Sequence, residues 1–272
     1  MSMNAIVSQV VCFLCLAGLF GYVFKKYPLK PTIKNLVVAS LFVLLAVSLN
    51  AMSLMIPFFG VPSLKFSFAL LPLMVAGMVL SPSWSYLVGL IFDLVGLLIT
   101  PTAFPFLGFT LSHVLVSTLP SLWNKQNVQL KPQHIYRLIN GSFIGLGSIA
   151  SLYVLQIEQV QVAKQTYEVT MIMKTAVIGF IISVILIIFT ILYYLRKKMS
   201  QEVVDDLAKW MVVGLFCEVL YSLMLTPFWL DIMYGIPWWI STFIRIIKAC
   251  LMIPLNIIVG YSILKIVKRI YN

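Results

Sequence analysis

At 272 residues, with 61% hydrophobic and only 10% charged residues and a mean hydropathy of +1.04, the chain has too little polar surface for a soluble domain. Its formal charge of +11 does not indicate a nucleic-acid partner, because the basic residues sit in short segments between apolar runs. The composition predicts an all-α polytopic membrane helical bundle in a lipid bilayer.

Nine apolar runs follow one another. Residues 5–24 form the first, about the 20 residues that cross a ~30 Å hydrocarbon core. It has no basic segment before it and Lys25-Lys26 directly after it, which favours a retained helix over a signal peptide. Runs at 35–56, 66–80, 82–100 and 105–123 come next, the third and fourth divided by Ser81-Pro82, since a residue before proline avoids helical geometry. After a polar stretch come 138–155 and 169–195, then 210–225 and 240–267. The last two flank an aromatic segment, 226–239, expected to be a loop.

Charge tests this count. With nine spans, Lys25, Lys26, Lys30, Lys34, Lys125, Lys131, Arg137, Arg196, Lys197, Lys198, Lys209, Lys265, Lys268 and Arg269 share one side, while only Lys65 and Lys164 lie in the opposite loops. The positive-inside rule then predicts a multi-pass protein of the plasma membrane with its N-terminus outside and its C-terminus cytoplasmic. The aromatic segment faces out.

Asp93, Glu218 and Arg245 fall within spans at matched depth, roughly 8–11 Å below the outer rim at 1.5 Å per residue. Intramembrane charges are costly and mark either a ligand site or a mutual pair that makes insertion tolerable. Lys248 and Lys174 are also within spans. Among other features, Gly141 and Gly145 with Gly147 and Ser148 read as a close-packing face. Cys12, Cys15, Cys217 and Cys250 all lie in apolar runs and read as packing residues rather than a disulfide framework. Two scattered histidines, His113 and His134, predict no metal site, and no cofactor is implied. A lipid-modifying enzyme would need a cluster of His, Asp or Glu at the bilayer interface, which the sequence does not offer, so no catalytic residue is assigned. A scaffold role predicts instead that Asp93, Glu218 and Arg245 are replaceable together.

Several blocks carry a family resemblance: Lys65-Phe66-Ser67-Phe68 running through Pro72 to Gly77, Pro82-Ser83-Trp84 with Gly89 and Asp93-Leu94-Val95-Gly96, and Phe106-Leu107-Gly108-Phe109-Thr110-Leu111-Ser112. Thr226-Pro227-Phe228-Trp229-Leu230-Asp231-Ile232-Met233-Tyr234-Gly235, then Arg245-Ile246-Ile247-Lys248 and Ile253-Pro254, complete them. In this order they resemble the substrate-binding (S) components of bacterial energy-coupling factor (ECF) vitamin transporters, most closely the folate family. The resemblance implies a six-helix core (residues 35–123 and 207–268), to which this chain adds an N-terminal helix at 5–24 and an inserted pair at 138–195. It implies no enzyme activity, but capture of folate or a reduced folate from outside, with a transmembrane coupling (T) subunit and two ABC ATPases supplying the drive. The chain has no phosphate-cradling Gly-x-x-x-x-Gly-Lys of its own. In such proteins the coupling subunit docks on small residues four apart in the first core helix; Ala39, Ser40, Ala46 and Ser48 are small but do not keep that spacing. Pantothenate, a pyrimidine or a queuosine precursor are the alternative cargoes.

The implied ligand suggests roles. Flat rings suit Trp229, Tyr234, Trp238, Phe109 and Phe68. Asp93 would accept from a pterin, with Ser112 and Glu218 as further polar partners. Arg245 would grip a carboxylate through its planar fork, and Lys248 or Lys65 would hold the other negative group.

Overall fold

The computed structural model describes residues 3–58, 61–99, 105–126, 132–156, 158–162, 165–168, 170–198 and 201–271. Thr100, Lys131, Lys164 and Val169 of the sequence reading lie outside them. The elements are α1 Met3–Lys26, α2 Ile33–Ala51, a hairpin of β1 Leu54–Phe58 and β2 Val61–Phe66, α3 Leu70–Val79, α4 Pro82–Ile99, α5 Leu107–Lys125, α6 Pro132–Gln156, a second hairpin of β3 Gln159–Val162 and β4 Gln165–Glu168, and α7 Met171–Lys198. Then α8 Gln201–Glu218 runs through a π-helical stretch, Val219–Leu225, into α9 Thr226–Tyr234, and α10 Trp238–Tyr271 ends the chain. Among the described residues, six helical stretches are long and apolar enough to cross a membrane: Ala5–Lys26, Ile33–Ala51, Pro82–Ile99, His134–Gln156, Asp206–Tyr234 and Arg245–Ile270. The chain is thus a multi-pass, all-α membrane protein. The apolar stretches Leu70–Val79 and Lys174–Ile187 are shorter.

Three stretches differ from the sequence reading, one of them the second hairpin, which stands where a connecting loop was expected between the sixth and seventh spans. The segment between the second and third spans, read as a loop, is the β1–β2 hairpin, so α2 stops at Ala51 and α3 starts only at Leu70. Pro57 and Pro62 argue against strands in sequence, yet here they face each other at the register shift between Ile56 and Pro57, where a missing N–H costs least. The aromatic segment 226–239 is also not a loop, because its first nine residues are α9. Proline in a continuous helix loses the bond to the carbonyl four residues back and clashes with it. Here the wider π-helical turn precedes Pro227, and the carbonyl it leaves open, on Leu223, accepts the Thr242 hydroxyl of α10 at 3.3 Å. Pro120 in α5 is handled alike: the Val116 carbonyl accepts the Cys217 thiol at 3.8 Å. Gly235, at φ 65°, closes α9 in the left-handed conformation that glycine adopts at no steric cost.

The bundle is organised about α3. Nine of its ten residues, Leu70 to Met78, are buried, as expected of a helix apolar on every side. It packs on α2, α4, α5, α8 and α10. Helices α3, α4 and α5 approach one another closely. A Cβ on Gly77 would strike the Ser117 carbonyl oxygen, and one on Gly89 would strike the Ser117 hydroxyl and come 2.8 Å from Val114 Cα. The face expected to pack through Gly141 and Gly145 does not: a Cβ at either meets nothing within 4 Å, and only Gly147 of that set is covered, by Ile185 of α7. In α6 the contact stripe instead runs through Ile139, Phe143, Gly147, Ala150 and Val154, all buried, and it determines which face turns inward.

Helix α1 lies against α4, α5 and α9. Its Gln9 side chain caps the N-terminus of α5, accepting from Leu107 N at 2.9 Å and donating to the Pro105 carbonyl at 3.0 Å. Tyr86 of α4 donates to the Leu16 carbonyl at 3.2 Å. Of the cysteines, Cys12, Cys217 and Cys250 are buried and Cys15 is exposed on the outer face of α1. Lys174, read as intramembrane, donates to the Leu155 carbonyl at 2.8 Å, ending α6 with a cation where the helix dipole favours one.

Candidate functional site

A cavity of about 280 Å³ opens beside the first hairpin, at the small end of the roughly 300–1,000 Å³ usual for small-molecule sites. Its described lining comes from α2 (Asn50), β2 and the turn after it (Lys65, Ser67), α3, α4 (Phe92, Asp93), α5 (Phe109, His113), the π-helical stretch and α9 (Tyr221, Thr226, Tyr234) and α10 (Arg245, Lys248). Helices α1, α6 and α7 contribute none of it.

One wall is a hydrogen-bonded chain. Asp93 Oδ2 accepts from Thr110 Oγ1 at 2.5 Å, and Oδ1 lies 2.8 Å from His113 Nδ1. His113 Nε2 is 3.2 Å from the Tyr221 hydroxyl. Because a carboxylate only accepts, the histidine's proton on this side belongs to Nδ1, leaving Nε2 to accept from Tyr221. Thr110 and His113 are three residues apart and so share one helix face, which brings both to a single acid on α4. Phe92 stands edge-on to the imidazole at 4.8 Å between centroids, so the chain is dry on that side. Replacing Asp93 by Asn keeps the shape but leaves His113 or Thr110 without its charged acceptor. The expected loss is about 1–3 kcal/mol of stability, read as a lower thermal midpoint of the purified chain. An unchanged midpoint would count against this wiring.

The opposite wall is cationic. Arg245 and Lys248 are 4% and 5% exposed and lie three residues apart on one face of α10, with Arg245 Nε donating to Ser241 Oγ at 3.3 Å. Lys65 reaches in from β2 and donates to Asn50 Oδ1 at 2.6 Å; burial pushes its ammonium below the ordinary lysine value. Tyr234 and Phe109 supply flat aromatic surface. A cavity with cations on one side, a hydrogen-bonded acid on the other and rings between suits a planar, hydrogen-bonding guest carrying negative charge.

The structure therefore brings together six residues singled out in the sequence: Arg245, Lys248, Asp93, Tyr234, Phe109 and Lys65. The other five stand apart from the lining. Trp229 is buried behind it and donates to Ser112 Oγ at 2.9 Å, while Ser112 donates to the Gly108 carbonyl at 2.8 Å. Tryptophan N–H groups need such a partner when buried, and this one is satisfied within the protein. Glu218 is buried and accepts from Asn256 Nδ2 at 3.4 Å. Trp238 and Phe68 are exposed. The expectation that Asp93 or Glu218 pairs directly with Arg245 is replaced, for Asp93, by the contact with His113. His113, Tyr221 and Asn50 were missed. The signal available for His113 was its spacing from Phe109 and Thr110, which puts all three on one face of α5.

Fold and cavity together define a polytopic helical membrane protein with a charged, partly open cavity beside its first hairpin. No family model matches the sequence, and no curated protein matches it. Eight chains of solved structures match. Among them is a crystal structure of FolT bound with folic acid, 19% identical, covering 85% of this chain and 93% of that one with a TM-score of 0.46.

Proposed function

We propose that the chain is the substrate-binding component of an ECF-type transporter, taking up folate or a reduced folate at the outer face and delivering it inward with a T subunit and two ABC ATPases. One observation carries this reading. The cavity draws its described lining from the six segments that the sequence resemblance assigns to the S-component core, and from none of the three additional helices. In this reading Asp93 accepts from the amino and ring N–H groups of a pterin through the lone pairs that Thr110 and His113 leave open, Tyr234 and Phe109 flank flat rings, and Arg245, Lys248 and Lys65 meet the carboxylates of the glutamate tail. The hairpin β1–β2 and the end of α9 form the rim that closes over the guest. The membrane is the bacterial plasma membrane, and the basic segments 25–34, 125–137, 196–209 and 265–269 face the cytoplasm, where the energising module docks.

Calorimetric titration of the purified chain with folic acid, with pantothenate and thiamine as controls, tests the reading. Submicromolar binding of folic acid alone is expected. A response to another vitamin and none to folic acid would replace the cargo; silence towards all three would overturn the assignment.

A further inference from the structure

Glu218 sits in an unusual place. It is 1% exposed, lies at the end of α8 directly before the π-helical stretch, and is absent from the cavity lining. Its Oε2 has one long hydrogen bond, from Asn256 of α10, and its Oε1 has no hydrogen-bond partner among the described residues. Ser222 Oγ, one turn further on, and Asn256 Oδ1 are likewise buried without one. An acidic side chain this dry, with so few donors, needs nearby positive charge to offset its desolvation. Two hydrogen bonds hold α10 along this stretch, from Thr242 to the Leu223 carbonyl and from Asn256 to Glu218; between them lie Arg245 and Lys248, both buried and both lining the cavity. The other charges of the cavity lining are Asp93, already engaged by His113 and Thr110, and Lys65, bonded to Asn50.

We infer that Glu218 is the built-in counter-charge of the Arg245–Lys248 wall and sets how strongly the cavity holds an anionic guest. In the empty protein it makes two buried cations tolerable. When a carboxylate guest arrives, guest and Glu218 compete for the same two cations, so part of the attraction is already spent and the guest is released more readily. Glu218 is in this sense a specificity-determining residue that never touches the ligand. The part concerning folate rests on the reading proposed above; the charge coupling does not.

The coupling is tested on the full chain in detergent, without ligand, by thermal unfolding of E218Q, K248Q and E218Q/K248Q. Each single variant is expected to lower the midpoint, and the double variant to recover part of the loss. Strictly additive losses would overturn the inference. Should E218Q fail to fold, folding of the double variant supports the coupling and its failure to fold overturns it. E218D, which keeps the charge, is expected to stay near the parent. Binding provides the second arm. E218Q is expected to bind folic acid, with two tail carboxylates, more tightly by about tenfold, the factor that corresponds to about 1.4 kcal/mol, and to gain less for pteroic acid, which has one carboxylate. Weaker or equal binding of folic acid would overturn the competition. If the parent chain binds neither compound, the folate reading fails while the unfolding cycle still decides the coupling.

Discussion

Replacing Arg245 by Gln is expected to weaken binding of folic acid by roughly a hundredfold, a loss of about 3 kcal/mol. The guanidinium is almost wholly buried, lines the cavity and is steadied through Ser241, so its donors are oriented before a guest arrives. A carboxylate that enters gains charge-assisted bonds without the arginine losing much rotamer freedom. Glutamine is shorter and offers neither the charge nor the fork, so the guest's anionic groups keep only Lys248 and Lys65 as cationic partners. Lysine restores the charge without the planar geometry, so R245K is expected to fall between the two. The folded state is expected to lose some stability too, because Glu218 is left with one buried counter-charge fewer, so each affinity is read on protein shown to be folded. Calorimetry on each variant, with thermal unfolding as the control, gives the answer; parent-like affinity in R245Q would remove Arg245 from the site.

Arg245 was legible in the sequence for a simple reason: a charge in an apolar run is costly wherever it sits, so its position carries information without any knowledge of the fold. The same holds for Asp93 and Lys248, and both line the cavity. Aromatic residues were less readable, because a ring is equally at home in a core, at a rim or against a ligand. Tyr234 and Phe109 face the cavity, whereas Trp229 turns its N–H to Ser112, a partner 117 residues away in sequence. Tyr221 was hidden in the middle of an apolar run, and only the π-helical turn and the packing of α5 bring its hydroxyl to His113. The two hairpins were read as connecting loops because Pro57, Pro62 and short polar strands give little period-two signal. The order of the long apolar helices followed from hydropathy, but α9 did not, and which face of each helix turns inward is a tertiary property.

That last point governs the second large effect, on folding. Gly77→Ala is expected to cost about 1–3 kcal/mol, enough to shift much of the purified protein out of its folded, monodisperse form, while Gly141→Ala leaves the thermal midpoint where it was. Both glycines lie in apolar helices, and the sequence favours Gly141, with its partner Gly145, as the packing position. The structure reverses this. A Cβ at 77 meets the backbone carbonyl of Ser117, and Pro120 Cβ and Cγ at 3.0 and 3.3 Å, atoms of a buried helix whose proline leaves it little freedom to yield. Ser117 is also the residue that Gly89 of α4 closes upon, so a shift of α5 away from α3 loosens both contacts together. Because α5 carries Phe109, Thr110 and His113 while α4 carries Asp93, the damage should reach the cavity: any G77A protein that stays folded is expected to bind folic acid more weakly than the parent. At Gly141 the added methyl group meets open space and improves helix propensity. Equal midpoints for G77A and the parent, or an equal loss in G141A, would mean that the α3–α4–α5 contact is not what holds the site together.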